Sequence, residues 1–312
     1  LATRDIGRER ISLGMNGALD NGFDWDFRIT RTSEDSFGVQ PDTGTTQLAD
    51  AIENNTFDLF IPSNNTAEEI AALSSNQETT TGVEMTVIDL VVTGEVGDVS
   101  IASGLQFRDE SIDIDRSANS LVVLDADGNL VTPANMIFLG GGIEVDQEKS
   151  ASAIFVEAST DLTDNLELRG ALRYENLEDD STVDPKLSLR YQATDNLVLR
   201  ASVSQSFREP TLAQLYASLV GLEGIQDFDT DGNTVGNPTF IRIAAKANPN
   251  LLPEEADNLN LGLIWNQDDF TAKFDYWAVD YTNVITKEQA QGIVARTPNS
   301  VKVIRTEGTL SG

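Results

Sequence analysis

Three carboxylates at alternate positions, Asp227, Asp229 and Asp231, lead into Gly232 and Asn233. Alternation aims hard oxygen donors at one point and the glycine permits a bend, which is the first half of an oxygen-rich Ca²⁺ loop. The twelfth position is Pro238, where an EF-hand needs a bidentate glutamate, so the stretch is not an EF-hand. The same residue types also suit a plain acidic turn. Asp125, Asp127 and Asn129 form a weaker copy. Calcium is the one cofactor this chemistry suggests, its task being to order residues 208–255.

A second set is cationic: Arg108, Arg169, Arg173, Arg190 and Arg200. A guanidinium is a planar fork of donors that fits a carboxylate or phosphate bidentately, so these five can grip an anionic ligand. They can equally pair with nearby acids such as Glu110, Glu167 and Glu175. Trp277 shares their polar register, whereas Trp25 and Trp265 read as packing or interfacial residues.

The chain has neither cysteine nor histidine. That excludes disulfides, thiolate metal sites and any histidine-activated nucleophile within it. A pair of carboxylates can hydrolyse glycosides, but acids are so numerous that spacing selects none, and the chain is not read as an enzyme. Lys plus Arg total 21 against 51 for Asp plus Glu, a net charge of -30 and a pI near 4.1. Nucleic acid needs a basic surface and is excluded as a partner. Direct docking on anionic lipid heads needs divalent cations in between.

The elements that must carry these side chains read as strands. In residues 165–176, Leu166, Leu168, Gly170, Leu172 and Tyr174 alternate with Glu167, Arg169, Ala171, Arg173 and Glu175. Residues 183–193 and 196–207 repeat the pattern with Leu187, Leu189 and Tyr191, then Leu197, Leu199, Ala201 and Val203. A period of two gives each strand one apolar face and one charged face. Strands of roughly ten to twelve residues cross a bilayer at a tilt. Tyr174, Tyr191 and Phe207 near strand ends suit an interfacial girdle. No run of eighteen apolar residues exists, so no membrane-spanning helix is predicted.

Further strands are predicted over 10–19, 23–30, 78–95, 99–115, 149–162, 258–266 and 270–276. Tight turns lie at Asp20-Asn21-Gly22, Val96-Gly97-Asp98, Thr163-Asp164-Asn165, Thr194-Asp195-Asn196 and Gln267-Asp268-Asp269. Residues 179–182 link two strands, and 301–306 begin another. Long connections cover 33–77, 116–148 and 208–255, the first with short helices at 47–54 and 67–73, the latter capped by Thr66. Phe207-Arg208-Glu209-Pro210 reads as a corner where proline ends the ladder. Five short turns on one rim and long loops on the other suit an outer-membrane barrel. Two alternatives remain: a soluble secreted calcium-binding β-sheet protein of adhesion, and a small passive pore.

Several stretches resemble the barrel of TonB-dependent outer-membrane receptors. They are Ile88–Glu95 with Ala102–Ser111, Asp184–Tyr191, the run Leu199–Leu212 reaching Leu215-Tyr216, then Asn248–Glu255, Asp275-Tyr276-Trp277 and Val284-Ile285. The resemblance implies an all-β, antiparallel up-and-down transmembrane β-barrel of 22 strands with long outer loops and short periplasmic turns, sited in the bacterial outer membrane. It implies active uptake of a scarce nutrient such as a ferric siderophore, cobalamin, an oligosaccharide or a peptide. Its partners would be outer-membrane lipid, a plug domain of the same full-length chain, TonB and the small nutrient ligand. Residues 1–312 have room for about ten to twelve of the strands and are read as a partial barrel, with the plug and the closing C-terminal strands lying elsewhere. Such a piece, with unpaired edges, is expected to be unstable alone.

Overall fold

The computed structural model describes residues 2–178, 180–306 and 309–310. Ten strands form one antiparallel sheet in which neighbours in sequence are neighbours in space. They are β1 (Thr3–Ala18), β2 (Asp24–Thr43), β3 (Ser74–Val96), β4 (Val99–Arg116) and β5 (Val145–Thr163), then β6 (Leu166–Leu177), β7 (Ser181–Thr194), β8 (Leu197–Arg208), β9 (Glu254–Gln267) and β10 (Phe270–Thr282). The sheet does not close on itself among the described residues: β1 and β10 are its edges.

Cross-strand pairing sorts the side chains onto two faces. Met15, Phe27, Leu90, Leu105, Ile154, Tyr174 and Val183 lie in one row across β1–β7. Leu199, Leu263 and Phe274 lie in another, across β8–β10. These residues belong to a continuous apolar band that none of the described residues covers: Leu13 is 66% exposed and Phe274 65%. None of the three buried apolar clusters contains a residue of the band. A soluble sheet would bury this face under a second layer, so the soluble reading fails here. On β10 the band runs from Phe270 to Ala278, roughly 26 Å along the strand or about 20 Å when tilted, close to the outer-membrane band of about 25 Å. Trp265 and Phe270 meet edge-to-face at 5.8 Å at its short-turn margin.

The five short turns fall as predicted, at residues 19–23, 97–98, 164–165, 195–196 and 268–269, all on one rim. Gly97 sits at φ 63°, where a Cβ is disfavoured. Of the predicted 179–182 link, Asp179 lies outside the described residues.

On the other rim the strands outrun their predicted ends. β2 continues to Thr43 and β3 begins at Ser74, so much of the predicted 33–77 connection is strand. Beyond the band, Ser33, Glu34, Asp35 and Ser36 carry no alternation of apolar and polar residues to read. The helices of this loop are Thr45–Glu53 and Ala67–Ala72. Thr66 caps the second in a reciprocal box with Glu69.

Residues 209–253 are not a bare loop. They hold a helix, Leu212–Tyr216, and a hairpin of Leu219–Phe228 with Thr234–Ala245. A further helix, Ala290–Arg296, follows β10. Of the strand predicted at 301–306, only Arg305–Thr306 forms, paired with Thr309–Leu310. Two of the buried cores lie in this outer layer, where Met136, at 0% exposure, packs with Val122, Ala134 and Val220.

Candidate functional site

Below the outer layer, the polar face of the sheet carries a connected ionic network. Arg108 lies 2.7 Å from Glu110, 3.1 Å from Glu175 and 2.9 Å from Glu209. Lys149 pairs with Glu209 at 3.0 Å and donates to the Pro210 carbonyl at 2.8 Å. Arg173 donates to Glu175 at 2.6 Å and to Gln106 at 2.9 Å, and Gln106 donates to Asp89. Three cations thus meet three glutamates. Glu175 is only 2% exposed, and its Oε1 lies near Arg108 without hydrogen-bond geometry. Removing one member would strand a buried charge, which is far costlier than the pair is stabilising. Glu209 and Pro210 belong to the predicted corner, so the network pins the start of the 209–253 segment to the polar face. Leu212 then packs on Ile112, Ile114 and Val145, which share that face.

Nearer the short turns the register sets Glu167, Arg190, Arg200, Gly262 and Asp275 in one row across β6–β10. Arg200 reaches across Gly262 to Asp275 at 2.8 Å. A Cβ at 262 would meet Asp275 Oδ1 at 2.7 Å and Arg200 Nε at 3.0 Å, so glycine leaves the opening for this pair. Arg169 lies 3.6 Å from Glu157 and 3.5 Å from Glu167. Among the described residues, Arg190 donates only to Gln192, at 3.2 Å. The row floors an open recess of about 530 Å³, also lined by Lys186, Ser188, Ser202 and Asn260. Trp277 pairs with Asn260 in register and is 69% exposed on this face.

The five arginines therefore share one face but not one site. Arg108 and Arg173 are locked in the network, Arg169 and Arg200 have acid partners, and Arg190 has none among the described residues. Sequence reading missed Lys149, Lys186 and Glu209, because pairing across distant strands is invisible to local alternation.

The two acidic loops are hairpin and turn tips that hold the chain's own cations. Asp229 accepts from the Asp231 and Asn233 amides and from the Asn233 side chain. The Asn233 contacts keep its carboxyl below the usual range. Asp227 faces elsewhere, taken bidentately by Arg305 at 2.5 and 2.6 Å, and that guanidinium likewise holds its carboxyl low. Asp125 accepts from Asn129 and Asp127. Lys246 donates to the Asp127 carbonyl and to Asn129. Among the described residues, no three acids, His or Cys are grouped to hold a metal.

These contacts also knit the outer layer together. Asn135 joins the first loop through Thr46, Gln47 and Ser75, and Asp42 accepts from the Phe138 and Leu139 amides. Gln226 and Gln291 bond reciprocally through the Gln291 side-chain amide.

A charged inner wall, a bare apolar outer face and segregated loops describe a wall between lipid and water. The family model for the TonB dependent receptor-like β-barrel matches residues 2–308. The chain belongs to that family. None of the curated protein sequences matches it. Among solved structures, a mutant of the ferric enterobactin receptor PfeA from Pseudomonas aeruginosa is similar at TM-score 0.60 and 17% identity, covering 89% of this chain and 35% of that one. The siderophore receptor PirA from Acinetobacter baumannii follows at 0.56 and 14%, covering 89% and 35%. The copper transporter OprC scores 0.53 at 12%, covering 87% and 38%. At these identities the likeness is one of fold. This TonB-dependent receptor chain thus spans about a third of the length of the structures it resembles, and like them it is a bacterial outer-membrane protein.

Proposed function

We propose that residues 1–312 supply part of the barrel wall and outer loops of a receptor that imports a scarce nutrient across the bacterial outer membrane. The observation that carries this reading is the sheet itself, with lipid-type side chains bare on one face and ion-paired side chains on the other. The remaining strands, a plug and the segment that engages TonB would come from the rest of the full-length chain. The fold neighbours are named for a ferric siderophore, a siderophore and copper, so a ferric siderophore is the first ligand to test. Calcium would be incidental, since Arg305 and Lys246 already sit on the acidic loops. No step of bond-making catalysis enters this reading.

The test is uptake of iron-loaded siderophores by cells carrying the full-length receptor, with and without TonB. Energy-dependent uptake that disappears with either protein supports the proposal. Uptake indifferent to both, together with steady ion conductance in planar bilayers, would favour a passive pore.

A further inference from the structure

We infer that the recess on the polar wall near the short turns is an oxyanion-binding site, with Arg190 and Lys186 as its free cations. The inference deepens the receptor reading by giving the inner wall a charge preference.

Arg190 and Arg200 are direct cross-strand partners. Like charges in that relation oppose sheet formation. Arg200 is neutralised through the opening over Gly262 by Asp275. Arg190 is not: Glu167 stands opposite it in register, yet the carboxylate lies on Arg169 at 3.5 Å. Lys186 lines the same recess and makes no ion pair among the described residues. Four cations therefore meet three carboxylates here: Glu167 and Asp275 line the recess, and Glu157 reaches Arg169 from outside it.

This excess is local and out of character. The whole chain carries a net charge of -30, and the Arg108 network above it balances its charges. Ser188, Ser202 and Asn260 add neutral donors around the two cations. A guanidinium fork beside an ammonium and hydroxyls suits a carboxylate or phosphate group. The oxyanion has two possible sources: a solute passing along the wall, or a carboxylate from another part of the receptor's own chain.

The experiment uses the full-length receptor in detergent, with pyrophosphate as the probe in calorimetric titration. Binding that weakens about tenfold or more in both Arg190→Gln and Lys186→Gln supports a site for solute oxyanions. Absence of binding, with a melting temperature that falls in Arg190→Gln, supports occupation by the receptor's own carboxylate. Absence of binding, with a melting temperature unchanged or raised in Arg190→Gln, overturns the proposal, because the substitution then only relieves repulsion. Binding that persists unweakened in both variants overturns it equally. Nutrient uptake, measured on the same variants, stands apart: intact uptake beside a failed titration sinks the site and leaves the receptor.

Discussion

At position 262 a methyl group would press on flexible side-chain ends rather than on backbone. Gly262→Ala is therefore expected to open the Arg200–Asp275 pair while the strand stands. An exposed pair of this kind is worth about 0–1 kcal/mol, so the urea midpoint should barely move. Pyrophosphate should bind more tightly, because Arg200 is freed. Asp227 makes a different case. Its carboxyl is held low in the folded chain by Arg305, so the pair stabilises the fold above the ordinary carboxylate range. That support is lost as pH falls from about 4 down through the depressed value. Protection of the Gln226 and Phe228 amides from hydrogen exchange, taken against the unfolded chain at the same pH, should be high at neutral pH and fall only in acid, and Asp227→Ala should lower it at both. Calcium titration of the intact receptor should be silent. Uptake of calcium that Asp229→Ala abolishes would reverse that expectation. The alternating carboxylates were plain to read in the sequence. The arginine that claims Asp227 stands 78 positions away, beyond the reach of any local pattern.

Strands were legible where the environment differs between their two faces. Leu259, Leu261 and Leu263 announce β9 because lipid takes one side and water the other. Asp35 and Gly82 share a row of the same sheet, and the polar residues around them on β2 and β3 leave no apolar alternation to read, whereas on β4 it continues with the opposite hand, Ile112 and Ile114 turning inward to Leu212. The Leu219–Phe228 hairpin escaped for a different reason: its buried residues Val220 and Ile225 enter two separate clusters and stand five positions apart, which breaks a period of two. Turns were legible because Asn-Gly and Gly-Asp carry their own backbone preference. The two faces should respond unequally to charge. Leu261→Arg, in the middle of the band, is expected to cost about 2–4 kcal/mol in urea unfolding from vesicles. Ser204→Arg on the polar face should cost less than about 1 kcal/mol, since lumen substitutions mainly tune selectivity. Equal costs would mean that the faces have been assigned the wrong way round.

For the molecule as a whole, rim asymmetry sets which residues meet the outside world. A protease site inserted into residues 55–65 of the full-length receptor should be cut on whole cells. The same site placed between Gly97 and Asp98 should be cut only after the membrane is opened. The edges β1 and β10 leave backbone donors and acceptors unpaired among the described residues, which hydrocarbon cannot satisfy. Residues 1–312 alone should therefore aggregate in detergent where the full-length chain runs as one peak. Two of the buried apolar clusters lie wholly in the outer layer and the third joins Leu212 to the outer ends of β4 and β5, while the spanning wall owes its apolar contacts to lipid. Two solvents thus hold one molecule together. A chaotrope dilute enough to spare the micelle should melt the loop layer first and let it re-form on a standing scaffold, so that calorimetry of the full-length chain records two separate heat peaks.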